Sequence, residues 1–214
     1  APAGTIGIEA RPAPWIGRFT MLVAPGTYTV KLTVTGHDYA QPFELRKDPN
    51  TAGTEAEIAQ AVTAVRAVMV DINDAADVVN GIEAVRAQIT TLRDVIKGDS
   101  SAVDLRRVAD SLERKFVGAE DELRQLRSTG RGQDQLRWPM RLSEQLIYLG
   151  TGMDGNDQAP TTSQRDVQAV LHQQLQAAKG RVNQLMGKDL EQFNELLRAR
   201  KLQHVISMAV LRNP

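Results

Sequence analysis

Tyr28-Thr29-Val30-Lys31-Leu32-Thr33-Val34 alternates apolar with polar residues, and after Asp48-Pro49 the alternation stops: Ile58, Val62, Val65, Met69, Ile72, Ala76 and Val79 recur at steps of four and three. The first pattern has the period of a half-buried strand, the second that of a helix burying one narrow stripe against other helices. The change of period divides the chain into a small antiparallel β unit and a long helical part, so the expected class is α+β, mainly α.

Working outward toward the N-terminus, residues 1–18 are rich in Pro, Gly and Ala and carry little apolar periodicity, which predicts an extended, linker-like arm. Phe19 to Val23 reads as a short strand. Pro25-Gly26 at the centre of Ala24-Pro25-Gly26-Thr27 suits a type II turn, because Pro presets φ and Gly accepts a positive one. Tyr28–Val34 and Tyr39–Arg46 then form a hairpin about Thr35-Gly36, with Val30, Leu32 and Val34 on one face and Tyr28, Thr29 and Thr33 on the other. Three strands within 19–49 are few, and such a unit must lean on the bundle, on another chain, or on strands outside this segment.

On the C-terminal side, Thr54 and Glu57 form a capping box that starts a helix over 54–97, closed by Gly98. Its stripe continues through Ile82, Val85, Ile89, Leu92 and Ile96. The step from Val79 to Ile82 to Val85 is 3-3, so a kink or rewinding is expected at Asn80-Gly81. A second helix, 101–129, buries Leu105, Val108, Leu112, Phe116, Ala119, Leu123 and Leu126 and ends near Gly130. Arg131 to Arg137 is a polar interruption. A short helix over 139–150 turns Leu142, Leu146 and Leu149 inward, and a loop from Thr151 to Pro160 leads to a last helix over 162–200, capped by Thr161 or Thr162. That helix is expected to bury Val167, Leu171, Ala178, Val182, Leu185, Phe193 and Leu196. Residues 201–214 form a tail. The lengths favour an elongated antiparallel bundle over 54–200 in three layers, the second and third helices lying end to end as the broken middle layer, with a compact four-helix bundle as the alternative.

Composition narrows the function classes. The 214 residues include 26 Lys+Arg and 26 Asp+Glu, so no net field favours a polyanion, and no nucleic-acid partner is expected. Cysteine is absent, which excludes disulfides and thiolate metal sites. No run approaches the roughly 20 apolar residues of a membrane span. The chain opens on Ala1 instead of Met, as expected of a processed chain or a piece of something longer.

No convergent chemistry stands out. His37, His172 and His204 lack a carboxylate or second His at ligand spacing and read as solvated or structural. Asp71, Asp74 and Asp77 could share a helix side, but they flank the apolar stripe and read as solvating charges. Asp154-Gly155-Asn156-Asp157-Gln158 starts like a calcium loop, yet Ala159 and Arg165 stand where Gly and Glu are needed, so a turn is expected. Trp15 and Trp138 lie outside the helices and read as plugs over the core, with partner contact as the alternative. No catalytic, cofactor-binding or metal residue is assigned.

With Gly36, Tyr39-Ala40-Gln41-Pro42-Phe43 and Arg46-Lys47-Asp48-Pro49, the run Ala24-Pro25-Gly26-Thr27-Tyr28-Thr29-Val30-Lys31-Leu32-Thr33-Val34 resembles the last strands of the Ig-like domain near the C-terminus of large exported bacterial β-propeller proteins. Those proteins carry Asp-box or sortilin-like repeats and are often labelled glycosyl hydrolase or sialidase-like. Gly132-Gln133-Asp134 and Trp138-Pro139-Met140-Arg141-Leu142 resemble the helical tail of the same family, so the likeness extends from Val23 through most of the chain. It implies an incomplete Ig-like unit, an exported bacterial location (periplasmic, outer-membrane-associated or extracellular), and any glycan-cleaving site in a propeller that this chain lacks. The implied role is a non-catalytic assembly or partner-binding module whose missing strands come from an upstream propeller or Ig-like region. The alternatives are a fragment of a glycan-processing hydrolase and a free-standing coiled-coil adaptor.

Overall fold

The computed structural model describes residues 21–129 and 133–207, and over them the chain is a two-stranded hairpin followed by a helical bundle. The hairpin pairs β1 (Gly26–Val34) with β2 (His37–Leu45) antiparallel, Val34 opposite His37 and Gly26 opposite Leu45. Thr35 and Gly36 close it with φ of 48° and 83°. Two positive φ values are the requirement of a type I′ turn, whose twist matches that of the strands.

Three N-terminal expectations need correction. Met21 to Val23 are not in a strand, so among the described residues the sheet has two strands and not three; Phe19 and Thr20 lie outside them. Met21 instead packs against the bundle core, and the Leu22 amide donates to Asp154 Oδ1 at 3.2 Å. Gly26 opens β1 and does not complete a turn. Tyr28 shares the face of Val30, because side chains two apart on a strand point the same way. The arm over 1–18, Trp15, Gly130, Arg131 and Gly132 lie outside the described residues.

Helix α1 (Glu55–Val95) is 41 residues long, roughly 60 Å, and starts at the expected box: Thr54 Oγ1 accepts from the Glu57 amide while the Glu57 carboxylate accepts from the Thr54 amide. Hydrogen bonds from Thr54 hold the Glu57 carboxyl below its ordinary range. A short 3₁₀ turn (Ser100–Ala102), begun by Asp99, leads into α2 (Val103–Leu123), which runs back along α1. After the one-turn α3 (Asp134–Arg137), α4 (Leu142–Met153) continues in the direction of α2. Next come α5 (Thr162–Gln184), a π-helical segment at Leu185–Asp189, and α6 (Leu190–Ala199). Thr161 is the N-cap of α5 and shares a capping box with Gln164.

Cross-links fix the directions. Arg93 meets Asp110 and Arg86 meets Glu113, so α1 and α2 are antiparallel; Asp71 meets His172 and Asp74 meets Lys179, so α5 runs with α1. Arg181 to Glu122, Lys115 to Asp189 and Arg200 to the Ser101 carbonyl lay α5–α6 antiparallel to α2. The result is an elongated bundle of three rods, α1, α2 with α4, and α5–α6, in which α1 also touches α5 directly; the broken rod is as expected, but it is not the middle of three layers. The break comes earlier than expected: α2 stops at Leu123, Arg124 is extended, and Gln125 turns its side chain to the Pro139 carbonyl, so 124–129 are not helical.

The seam of α1 also differs from expectation. Its buried positions are Ile58, Ala61, Val65, Val68, Asp71, Ala75, Val78, Val79, Gly81, Ile82, Val85, Arg86 and Ile89, whereas Val62, Met69 and Ile72 are only half-buried and Ala76 is exposed. Counted through Val78, the steps from Ala75 to Ile89 are 3-4-3-4, and the slip anticipated at Asn80-Gly81 disappears; α1 is continuous there. Rewinding occurs instead at Leu185–Asp189. Along α5–α6 the buried stripe passes from Val182 to Leu190, Phe193 and Leu197, leaving Val167 and Leu196 exposed, contrary to expectation. A π segment adds one residue per turn and shifts the inward face by about a hundred degrees at that point.

Gly53, between the hairpin and α1, is buried against the loop that joins α4 to α5. A Cβ placed there would lie 1.9 Å from the Asp157 carbonyl oxygen and 2.6 Å from its carbonyl carbon. Backbone cannot yield as a flexible side chain can, so Gly53→Ala is expected to destabilise by about 1–3 kcal/mol. Urea unfolding checks this; an unchanged midpoint would mean that the close approach does not persist in solution.

Candidate partner-binding face

The alternation that makes the hairpin also sorts its two faces. Tyr28, Val30, Leu32, Val34, Tyr39, Phe43 and Leu45 project to one side, together with His37 at the turn end and Gln41 opposite Val30; Thr27, Thr29, Lys31, Thr33, Asp38, Ala40, Pro42 and Glu44 project to the other. The polar face is satisfied within itself. Thr33 donates to Asp38 Oδ1 at 2.6 Å and Lys31 reaches Asp38 Oδ2 at 2.7 Å, which together hold the Asp38 carboxyl below its ordinary range, Lys31 contributing most.

The apolar face has no such closure. Val30 is 54%, Leu32 60% and Tyr39 62% exposed, and the one cross-strand ring contact is Tyr28 against Phe43, centroids 6.0 Å apart. Only at the hairpin's base does the bundle come near: a cleft of ≈ 140 Å³ is bounded by Leu45, Arg46, Ile58, Val65, Met153 and Asp157. Clustered apolar side chains on a two-stranded ribbon are not what an isolated hairpin needs in water, since a pair of strands is marginal without a packed face.

The two edges of the ribbon are not equivalent. In a two-residue hairpin the closing pair exchanges both backbone hydrogen bonds, and bonded pairs then recur every second residue. Counting from Val34 and His37, the residues bonded across the ribbon are those of the mainly apolar face, His37 and Gln41 included, and the N–H and C=O groups of the residues on the other face point outward. The β1 edge therefore offers a complete ladder at Thr27, Thr29, Lys31 and Thr33. The β2 edge is interrupted at Pro42, which has no N–H to give, and Pro on an outer edge blocks strand addition. Added strands are directed to β1.

The residues weighed for chemistry are dispersed. His37 is exposed at the hairpin end and His204 in the tail. His172 has a carboxylate partner after all: its Nδ1 lies 2.8 Å from Oδ1 of buried Asp71, brought from another helix and so invisible to local spacing. Asp74 is bound by Lys179 at 2.5 Å, and Asp77 is exposed. The triplet of aspartates thus divides between two cross-helix pairs and solvent, and among the described residues no group of three or more His, Asp or Glu side chains could hold a metal ion. Asp154–Gln158 is a turn, with Gly155 at positive φ and Asn156 Oδ1 accepting from the Gln158 amide. Trp138 is half-buried with the Arg127 guanidinium 4.8 Å above its ring, a capped aromatic more than a core plug.

Sequence reasoning missed a buried charge cluster between α1 and α2. Arg86 Nε donates to Glu113 Oε1 at 2.9 Å and Arg86 Nη1 to Glu120 Oε2, with all three side chains in the core. The available signal was the spacing of Glu113 and Glu120, seven residues apart and beside Phe116 on the inward face. None of the clefts beside Met153, Tyr148 or Val205 is lined by these carboxylates. No described helix is long and apolar enough to cross a membrane. Comparison of the chain with protein-family models, curated proteins and solved structures finds no match.

Proposed function

We propose that this chain is a non-catalytic assembly module in which the bundle is the support and the hairpin is one share of an Ig-like sandwich. Strands from a propeller-bearing region of an exported bacterial protein complete it. The observation that carries the reading is the uncovered apolar face of the hairpin beside a β1 edge with its ladder intact. Covering half-exposed Val, Leu and aromatic side chains gains roughly 1 kcal/mol apiece, and an added strand supplies the backbone bonds that give such contacts direction. The resemblance of residues 24–49 and 132–142 to the C-terminal region of exported β-propeller proteins supports the same reading and places any glycan chemistry in the propeller.

Hydrogen exchange tests the proposal. In the isolated chain the outward amides of Thr29, Lys31 and Thr33 should exchange freely. On mixing with the propeller-bearing polypeptide they should become protected, while the β2 amides of Ala40 and Glu44 should not. Leu32→Glu together with Tyr39→Glu should abolish association and leave the unfolding of the bundle unchanged. Protection confined to β2, or association indifferent to both substitutions, would overturn the reading. Turnover of aryl glycosides or sialosides by the chain alone, lost on changing one carboxylate, would favour the hydrolase reading instead. The adaptor reading has one observation of its own, an almost wholly apolar groove of ≈ 380 Å³ between α4 and α5 with Tyr148, Leu149, Val167 and Leu171 in its wall. It predicts binding that ignores the hairpin substitutions and fails on Tyr148→Glu.

A further inference from the structure

Helix α6 ends in a reversal that aims the following residues back at α1. The Leu202 amide donates to the Leu197 carbonyl at 2.9 Å and the Lys201 amide to the Arg198 carbonyl at 3.0 Å, with Lys201 at φ 56°. This is the Schellman pattern, here with Lys where Gly is usual, and Leu202 returns to the core edge beside buried Leu197. The tail then crosses from α6 to α1 without regular structure of its own. Two side-chain amides take over the role of a neighbouring strand. Asn194, 6% exposed, donates from Nδ2 to the Val205 carbonyl at 2.9 Å and accepts from the Val205 amide at Oδ1 at 2.8 Å. Gln88 does the same for the next residue, donating from Nε2 to the Ile206 carbonyl at 2.8 Å and accepting from the Ile206 amide at 2.9 Å. Between the clamps the Val205 side chain is buried, while Gln203, His204 and Ile206 are exposed. With the tail in place, an open groove of ≈ 450 Å³ remains beside it, walled by Ala87, Thr91, Leu92 and Val95 of α1 and by Leu202, Gln203, His204 and Val205 of the tail itself.

We infer that Asn194 and Gln88, with the core edge that buries Val205, form a peptide-binding site that reads main chain, and that its occupant is the chain's own segment Leu202–Ile206, held as an exchangeable ligand beside the open groove. The ligand class follows from the contacts. Four hydrogen bonds go to backbone groups, which every residue but proline offers, and one small apolar side chain is buried; the neighbouring side chains face water. Such a site takes an extended peptide with a Val-sized residue at the anchor and non-proline residues there and at the following position. A purely structural strap would also hold the tail down, but it would not accept the same segment as a separate molecule.

The test uses the full chain and the capped peptide Leu-Gln-His-Val-Ile-Ser, which copies residues 202–207. Asn194→Ala and Gln88→Ala should each speed exchange of the Val205 and Ile206 amides by about tenfold with helix content unchanged, as the loss of a shared pair of hydrogen bonds implies. Val205→Asp should release the tail, exposing it to trypsin after Lys201. The peptide at millimolar concentration should then bind this variant and protect Gln88 and Asn194 side-chain amides from exchange, but should not bind Val205→Asp carrying Asn194→Ala as well. Replacing both Gln203 and His204 by Ala should leave tail protection where it was. Failure of the peptide to bind the folded Val205→Asp chain would overturn the inference, as would equal sensitivity to the Gln203 and His204 changes. If Val205→Asp does not fold, Val205→Gly gives the same readouts with a milder change.

Discussion

Arg86→Met should lower the stability of the bundle by about 3–5 kcal/mol, although it replaces a charged residue with an apolar one of similar length in an apolar interior. Arg86 is 4% exposed and stands between Glu113 at 8% and Glu120 at 0%. Its planar guanidinium offers a separate N–H to each carboxylate, which a Lys ammonium on a flexible stem would hold less well. Arg86 is held between the two carboxylates, and Glu113 Oε2 has no hydrogen-bond partner among the described residues. Removing the cation leaves both carboxylates buried without it, whereas removing all three charges leaves none. The triple change Arg86→Met, Glu113→Leu and Glu120→Leu is therefore expected to recover most or all of the loss, since well-packed apolar replacements of a buried ion cluster are often neutral or stabilising. Urea unfolding of the single and triple variants decides it: a harmless single change, or a triple variant worse than the single, would contradict this account.

The position of this cluster bears on why some of the fold was legible and some was not. The change of period at Asp48-Pro49, the capping box at Thr54 and the cap at Thr161 or Thr162 are local signals, complete within a few residues, and each marks a boundary in the structure, the last falling on Thr161. The hairpin turn at Thr35-Gly36 is equally local. The helix stripes were legible in kind but not in phase. Ala61 and Ala75 lie on the seam of α1, while larger Met69 and Ile72 lie beside it, because close approach of two helices selects small residues over greasy ones. Asp71 and Arg86 sit on the same seam. A reading that follows hydrophobicity alone steps around all four and acquires a slip at Asn80-Gly81 that the helix does not have. The π segment at Leu185–Asp189 is the counterpart: the stripe passes Val182, Leu185 and Leu190, and the five-residue step from Leu185 to Leu190 was the sign of an inserted residue.

The exposed, mainly apolar face of the hairpin was legible for a different reason. Alternation names the two faces of a ribbon without any tertiary information, and three strands or fewer cannot cover an apolar face by themselves. What the pattern did not disclose was that Met21 to Val23 join the bundle instead of the sheet, a choice set by long-range packing and by the Leu22 bond to Asp154. The cross-helix pairs of Asp71 with His172 and Asp74 with Lys179, and both clamps on the tail, join residues far apart in the chain. Spacing rules reach one helix turn, or one hairpin, and end there.

Phe116→Ala should cost about 3–5 kcal/mol, for a reason independent of charge. Phe116 is fully buried on α2, between Glu113 and Glu120 in sequence, in the core shared with Val65, Ile89, Leu171, Val182 and Phe193. The surrounding side chains are fixed on three rods packed against one another, so they can collapse only partly into the space a phenyl ring vacates. Against a total stability of roughly 5–15 kcal/mol for a domain, the loss is a large fraction, and thermal or urea unfolding should register it plainly. Asp74→Asn and Asp77→Asn serve as the contrast and should stay within about 0.5 kcal/mol, the first because its pair with Lys179 is part-exposed, the second because it is solvated. If the aspartate changes proved the more damaging, or a chelator lowered the midpoint of the parent chain, a cation on that side of α1 would have to replace the present description. The two large effects should also couple. The cavity left by Phe116→Ala adjoins the carboxylates that Arg86 holds, and water entering it would hydrate Glu113 and Glu120 once Arg86 is gone. The double variant is therefore expected to lose less than the two single losses added together; strict additivity would mean that the cavity stays dry or that the ring and the charge cluster do not share one seam.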